Sequence, residues 1–243
     1  IVEVGAVEDS FLKEQQEALD ARYYGIPFAD CVGRSAKRRV SSILHECTNT
    51  LLVMRIPDEP DTEGGLDKLH QHLLGYARLN RKLGGSLLLI MPSTARFWKS
   101  DRCVRYMTEF GLDSAIVAGC SLGLKINDRP VNTAWCIAAD DPYTVNQFFG
   151  LGCHGGHHHI VNPVPDDDIS LPRELAKRVA KAWMRSVSTK QAVARVVVAP
   201  ESAGNGDFGS VPEMPVVRGA PAHAVQDDPF RALVASISAV AKL

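Results

Sequence analysis

Gly119-Cys120-Ser121-Leu122-Gly123-Leu124 opens the connection between two apolar runs, Ser114 to Ala118 and Ala134 to Ala138. Short apolar runs bounded by turn residues read as buried strands. The connection is polar and carries Asn127-Asp128-Arg129-Pro130, which marks a turn rather than a helix. Two strands joined without a crossover helix pair as an antiparallel hairpin. The chain then passes through Asp141-Pro142, the start of a short helix to Phe149, into Cys153-His154-Gly155-Gly156-His157-His158-His159.

Upstream of the hairpin, strand runs alternate with helices. Ile1 to Val4 is an apolar run that ends at Gly5. Ser10 to Arg22 has helix-forming composition, with Ser10 as its cap and Phe11, Leu12 and Leu19 facing a core. Tyr23 to Phe28 is the next strand. Ser35 to Glu46 is a helix with Lys37, Arg38 and Arg39 on one face and Val40, Ile43 and Leu44 on the other. Leu51 to Met54 is a buried strand, followed by the acidic loop Asp58 to Glu63. Leu66 to Leu83 is an amphipathic helix ended by Gly84-Gly85. Ser86 to Met91 is a strand stopped by Pro92, and Phe97 to Phe110 is a helix with Gly111 beyond it. Strands alternating with helices in this way predict an α/β fold with a mostly parallel sheet and right-handed crossovers.

Downstream, Leu171 to Arg185 reads as an amphipathic helix carrying Leu175, Val179 and Trp183. Lys190 to Val225 is rich in Pro, Gly, Ala and Val and reads as an extended arm. Asp228-Pro229 starts a last helix with Phe230, Leu233, Val234, Ile237 and Val240 on one stripe. The expected organisation is a domain over residues 1–186, an arm over 187–227 and a C-terminal amphipathic helix over 228–243. An arm that cannot build its own core gains order on a partner, so a protein partner is expected at the arm and helix.

The 243 residues are 45% hydrophobic and 23% charged, the composition of a globular chain. A net charge of -1 gives no global field for nucleic acid. The basic patches Arg34 to Arg39 and Arg96 to Arg105 are local, and nucleic acid is a further candidate partner through them. No apolar run is long enough for a transmembrane helix, so no membrane association is expected. The six cysteines, Cys31, Cys47, Cys103, Cys120, Cys136 and Cys153, are scattered without a CxxC pair. That pattern predicts reduced thiols in an intracellular, reducing compartment. The first residue is Ile1 and already belongs to a strand, which reads as the start of a processed or excised chain.

The order of these pieces resembles that of a Rossmann-like class I methyltransferase with one strand missing after the second helix. More narrowly, Ile1 to Ser186 resembles the C5-cytosine-methyltransferase-like domains of some phage proteins and of retrotransposon polyproteins of certain protists. In that family the first strand ends in a glycine turn that receives S-adenosylmethionine, and Val4-Gly5-Ala6 stands in that place. The resemblance thus makes Glu3, Gly5 and Ala6 the candidate cofactor contacts. The family's Ser-Pro-Pro-Cys nucleophile segment is matched by Arg55-Ile56-Pro57-Asp58, and its glutamate segment by Leu89-Ile90-Met91-Pro92, followed by Trp98. Its Gln-Cys-x-Tyr-Gly-Leu segment is matched by Gly119 to Leu124, its arginine strand by Thr133-Ala134-Trp135-Cys136, and its Cys-x-Gly-x-His-x-His loop by Cys153 to His159.

The chemical groups are absent at these positions. Asp58 stands for the nucleophilic cysteine, Ile90 for the glutamate and Cys136 for the arginine. C5 methylation needs a thiolate to add to the base and an acid at the ring nitrogen. The resemblance therefore implies a domain without that chemistry, acting as a structural or interaction subunit, with no catalytic residue assigned. The alternatives are an S-adenosylmethionine-dependent enzyme using other groups, with Asp58 as the candidate, and a nucleic-acid-binding remnant of a mobile element.

Read as chemistry, Cys153, His157 and His159 are ligand types suited to zinc. His154 and His158 are alternatives, and Cys120 is the candidate for a fourth position. The competing reading is a glycine-rich polar loop. Asp58, Glu59, Asp61 and Glu63 offer oxygen ligands or simply a solvated loop. A triad of Cys120 or Ser121 with a histidine and Asp140 lacks any GxSxG context.

Overall fold

A computed structural model describes residues 1–6, 10–56, 65–131, 133–160 and 172–198. Eight strands and six α-helices are described: β1 (Val2–Val4), α1 (Phe11–Ala18), β2 (Tyr24–Ile26), α2 (Arg34–Glu46), β3 (Leu51–Met54), α3 (Gly65–Lys82), β4 (Ser86–Pro92), α4 (Asp101–Phe110), β5 (Asp113–Ala118), β6 (Lys125–Ile126), β7 (Arg129–Pro130), β8 (Ala134–Ala139), α5 (Pro142–Asn146) and α6 (Arg173–Val198). The chain divides into Ile1–Arg195 and Val196–Leu243. The expected arm beyond residue 198 and the C-terminal helix lie outside the described residues.

Six strands form one sheet in the order β2-β1-β3-β4-β8-β5. β1 runs parallel to β2 and β3, and β3 runs parallel to β4. β8 is antiparallel to both β4 and β5, with Ile137 opposite Ile90 on one side and Ala115 on the other. This is the Rossmann-like α/β arrangement. The antiparallel pair sits at the edge as expected, but the reversed strand is inserted one position in, and β5 forms the outer edge. The connection between them is itself a small hairpin, β6 with β7. Asn127 and Asp128 at its tip have φ of 49° and 61°. Positive φ at both central residues is what a right-twisted two-residue hairpin needs, and Asn and Asp tolerate it.

β3 and β4 are buried at every residue, which explains their unbroken apolar runs. Side chains alternate between faces. On one face Leu51, Val53, Leu88, Ile90, Val117, Trp135 and Ile137 pack with Leu12 of α1, Val145 of α5, and Leu175, Val179 and Trp183 of α6. On the other face α3 lies against β3 and β4. Its Leu73 and Ala77 are fully buried, and the Tyr76 hydroxyl donates to the Cys31 carbonyl at 2.9 Å. Each such leucine stabilises the fold by about 1.5–3 kcal/mol relative to an exposed one.

Helix ends follow local chemistry. Ser10 caps α1 by accepting from the Leu12 N–H, Ser100 caps α4 by accepting from Cys103, and Asp141 caps α5 by accepting from Thr144. Gly111 ends α4 at φ 62°. The expected helix Phe97 to Phe110 is broken at that Ser100 cap, with a single 3-10 turn, Arg96–Lys99, before it. α6 runs to Val198, well past the expected end at Arg185. The expected boundary after Ser186 thus falls inside a helix, because no glycine or proline interrupts the chain before Pro200. Among the described residues, no helix is long and apolar enough to cross a membrane.

Candidate functional site

In open α/β sheets ligands enter at the carboxyl ends of the parallel strands, at the point where the strand order reverses. Here that point lies between β1 and β3, beside Gly5 and Arg55. Gly5 has φ 79°, and a Cβ on it would lie 2.3 Å from Phe28 Cζ and 2.7 Å from the Arg55 carbonyl oxygen. The glycine is needed for its backbone conformation and for the approach of the protein's own phenyl ring. The turn's N–H groups are also engaged. Gly5 N–H donates to the Ile26 carbonyl at 2.8 Å and Ala6 N–H to the same oxygen at 3.3 Å.

Glu3 faces inward and has no exposed surface. Its Oε2 accepts from Ser10 Oγ at 2.5 Å and from the Tyr23 hydroxyl at 2.7 Å. Its Oε1 is buried with no hydrogen-bond partner among the described residues. Burial, with Glu3 next in effect, pushes the Tyr23 phenol far above its ordinary range. Glu3, Gly5 and Ala6 are therefore adjacent at the carboxyl end of β1. The carboxyl group is spent inside the fold, and a ring covers the glycine. The ring is that of Phe28, which lies just past β2.

The positions that the resemblance aligns with the family's glutamate and arginine are core. Ile90 and Cys136 have no exposed surface, and burial raises the Cys136 thiol far above its usual range. Trp98 and Trp135 are buried, with Trp98 Nε1 donating to the Pro92 carbonyl at 2.9 Å. Pro57, Asp58, Glu59, Asp61 and Glu63 lie outside the described residues.

At the carboxyl end of β5 the chain behaves differently. A single 3-10 turn, Gly119–Leu122, places Cys120 beside the loop that follows α5. Gly119 permits this because a Cβ there would meet the Thr133 carbonyl at 2.9 Å and the Trp135 ring at 3.0 Å. The Ala118 N–H donates to the Leu151 carbonyl at 2.9 Å, and Ser121 Oγ donates to the Gly152 carbonyl at 2.6 Å. Gly155 and Gly156, at φ 75° and 78°, turn the chain back between Cys153 and His157. The result gathers Cys120, Cys153, His157 and His159, with one donor atom from each within 4.8 Å of all the others. His154 and His158 are not part of the group. Cys120 and His159 are half-buried, and Cys153 and His157 are exposed. Burial raises the Cys120 thiol above its ordinary range, and the neighbouring Cys153 adds to it.

The imagined triad does not assemble. Asp140 accepts from the Leu87 N–H at 2.9 Å, at the amino end of β4. It is separated from the Cys120 end by the six-residue strand β8, roughly 20 Å long. Ser121 is committed to Gly152. In the second basic patch Arg102 pairs with Asp67 and Arg105 with Glu109. Two surface grooves, of about 410 Å³ beside Lys37 and Tyr76 and of about 370 Å³ beside Ile1 and Trp183, contain none of the cluster residues. No family model and no curated protein matches this chain.

Proposed function

We propose that the chain is a C5-cytosine-methyltransferase-like domain that no longer transfers methyl groups and serves as a structural or interaction subunit of a larger assembly. The observation that carries this reading is the Phe28 ring against Gly5, with the turn's N–H groups bonded to Ile26. A cofactor turn needs free N–H groups and open space over the glycine, and here both are taken by the protein. The single reversed strand between β4 and β5 supports the methyltransferase ancestry. Ile90 and Cys136, packed without exposed surface at the positions the family uses for chemistry, support the loss of the reaction. A buried isoleucine donates no proton, and losing such groups costs orders of magnitude in rate.

Isothermal calorimetry of the full chain with S-adenosylmethionine and with its demethylated product tests the reading. No heat is expected with either. Saturable binding that Phe28→Trp weakens would overturn it and return the chain to the cofactor-dependent class. The partner side is tested by native mass measurement, in which a strictly monomeric chain in its native extract would count against a subunit role.

A further inference from the structure

We propose that Cys120, Cys153, His157 and His159 bind one zinc ion in a closed Cys2His2 shell that fastens the loop 151–160 to the carboxyl end of β5. Cys153 Sγ lies 3.7 Å from His157 Nε2 and 3.5 Å from His159 Nε2, and the two Nε2 atoms are 2.9 Å apart. Zinc bonds of about 2.3 Å to sulfur and about 2.0–2.1 Å to nitrogen give a tetrahedron with S···N edges of roughly 3.5 Å and an N···N edge of roughly 3.3 Å. The observed edges lie near those values, and the nitrogens lie slightly inside. Hydrogen bonding does not account for the convergence as well. Two neutral imidazoles facing each other through Nε2 share one proton, and Cys153 Sγ competes for the same point. A cation at the centre satisfies both rings and both sulfurs at once.

The surroundings fit a metal-bound thiolate. The Gly155 N–H donates to Cys153 Sγ at 3.4 Å, and such a contact stabilises a sulfur that carries charge. His157 and His159 are two residues apart, and in extended chain that spacing sends side chains to one side and the intervening His158 to the other. The two halves of the site are held in register without the ion by the Ala118–Leu151 and Ser121–Gly152 bonds. The donor set contains two sulfurs, two nitrogens and no carboxylate, which selects zinc over calcium or magnesium. Four protein donors fill a tetrahedron and leave no position for water, so the site is structural rather than hydrolytic. The proposal does not depend on whether the glycine turn binds a cofactor.

The test is metal content and cobalt substitution on the full chain. After dialysis the chain is expected to retain one equivalent of zinc by plasma mass spectrometry. Cobalt in its place is expected to show thiolate charge transfer and the intense visible bands of a tetrahedral site. Cys120→Ser and His159→Ala should each lose the retained equivalent, whereas His154→Ala and His158→Ala should keep it. Retention unchanged in Cys120→Ser would overturn the proposal, because the loop alone would then hold the ion. So would a native chain that takes up no zinc and gives only the pale spectrum of hexahydrated cobalt, or one whose Cys120 and Cys153 are found joined as a disulfide. Should a variant fail to fold by circular dichroism, the cobalt spectrum of the native chain decides by itself whether two thiolates coordinate.

Discussion

The two carboxyl-end corners of the same sheet have opposite constructions. Above β1 and β3 the corner is closed by the protein's own atoms: a phenyl ring lies on Gly5, and the main-chain donors are bonded to Ile26. Above β5 the corner is drawn together by polar atoms that converge on a point between Cys120, Cys153, His157 and His159. The difference teaches that a signature residue can hold its place for a reason unlike the one its motif suggests. Gly5 is required by φ and by Phe28 whether or not a ligand approaches. Cys120 has no such backbone duty, and its geometry makes sense only together with the distant loop.

The contrast can be broken most forcefully at Gly5. Gly5→Val places a side chain at positive φ and into Phe28 and the Arg55 carbonyl, and is expected to cost about 2–4 kcal/mol in denaturant unfolding. A loss below about 0.5 kcal/mol would mean that the corner is open after all, since surface changes fall in that range. Next in size are Ser10→Ala and Tyr23→Phe, each removing a donor to the buried Glu3 carboxyl group, at about 1–3 kcal/mol each. Because both donate to one oxygen, the double variant is expected to depart from additivity, measured as a double-mutant cycle. At the other corner, chelation should accelerate amide exchange across residues 151–160 by about tenfold or more, as local opening does, while the residues around Gly5 stay unchanged. Equal acceleration at both corners would erase the contrast.

The smallest effect is expected at the amino end of the sheet. Burial holds the Asp140 carboxyl above the usual range, so the folded chain binds that proton more tightly than the unfolded one. Asp140 therefore favours folding most below the ordinary aspartate pKa, and stability falls as pH rises from there through the raised value. Asp140→Asn retains an acceptor for the Leu87 N–H and should stabilise the chain at neutral pH, with no gain in strong acid. Thermal unfolding at two pH values reads the sign.

The sheet was legible because its central strands are short, mostly apolar and bounded by Gly5, Pro57, Gly84-Gly85 and Pro92. Cys153, His157 and His159 were legible as a group because they share one loop. Cys120 was only a candidate, since its proximity depends on how β5 ends and not on spacing. Phe28 over Gly5 was not legible, because the contact joins residues far apart in sequence through the turn after β2. The length of α6 was missed because the valine-rich stretch before Pro200 reads as extended chain, β-branched residues being weak helix formers on their own. Packing of Val179 and Trp183 on the sheet anchors the helix from its other end.

Among the described residues, β5 is the last strand of its sheet. The Leu151 carbonyl takes the Ala118 N–H at the carboxyl end of that strand. The loop after α5 thus occupies one donor at that end of the edge, where strand addition by a second molecule is the hazard. Whatever loosens the loop also frees that N–H, so the end of the strand edge becomes open to pairing.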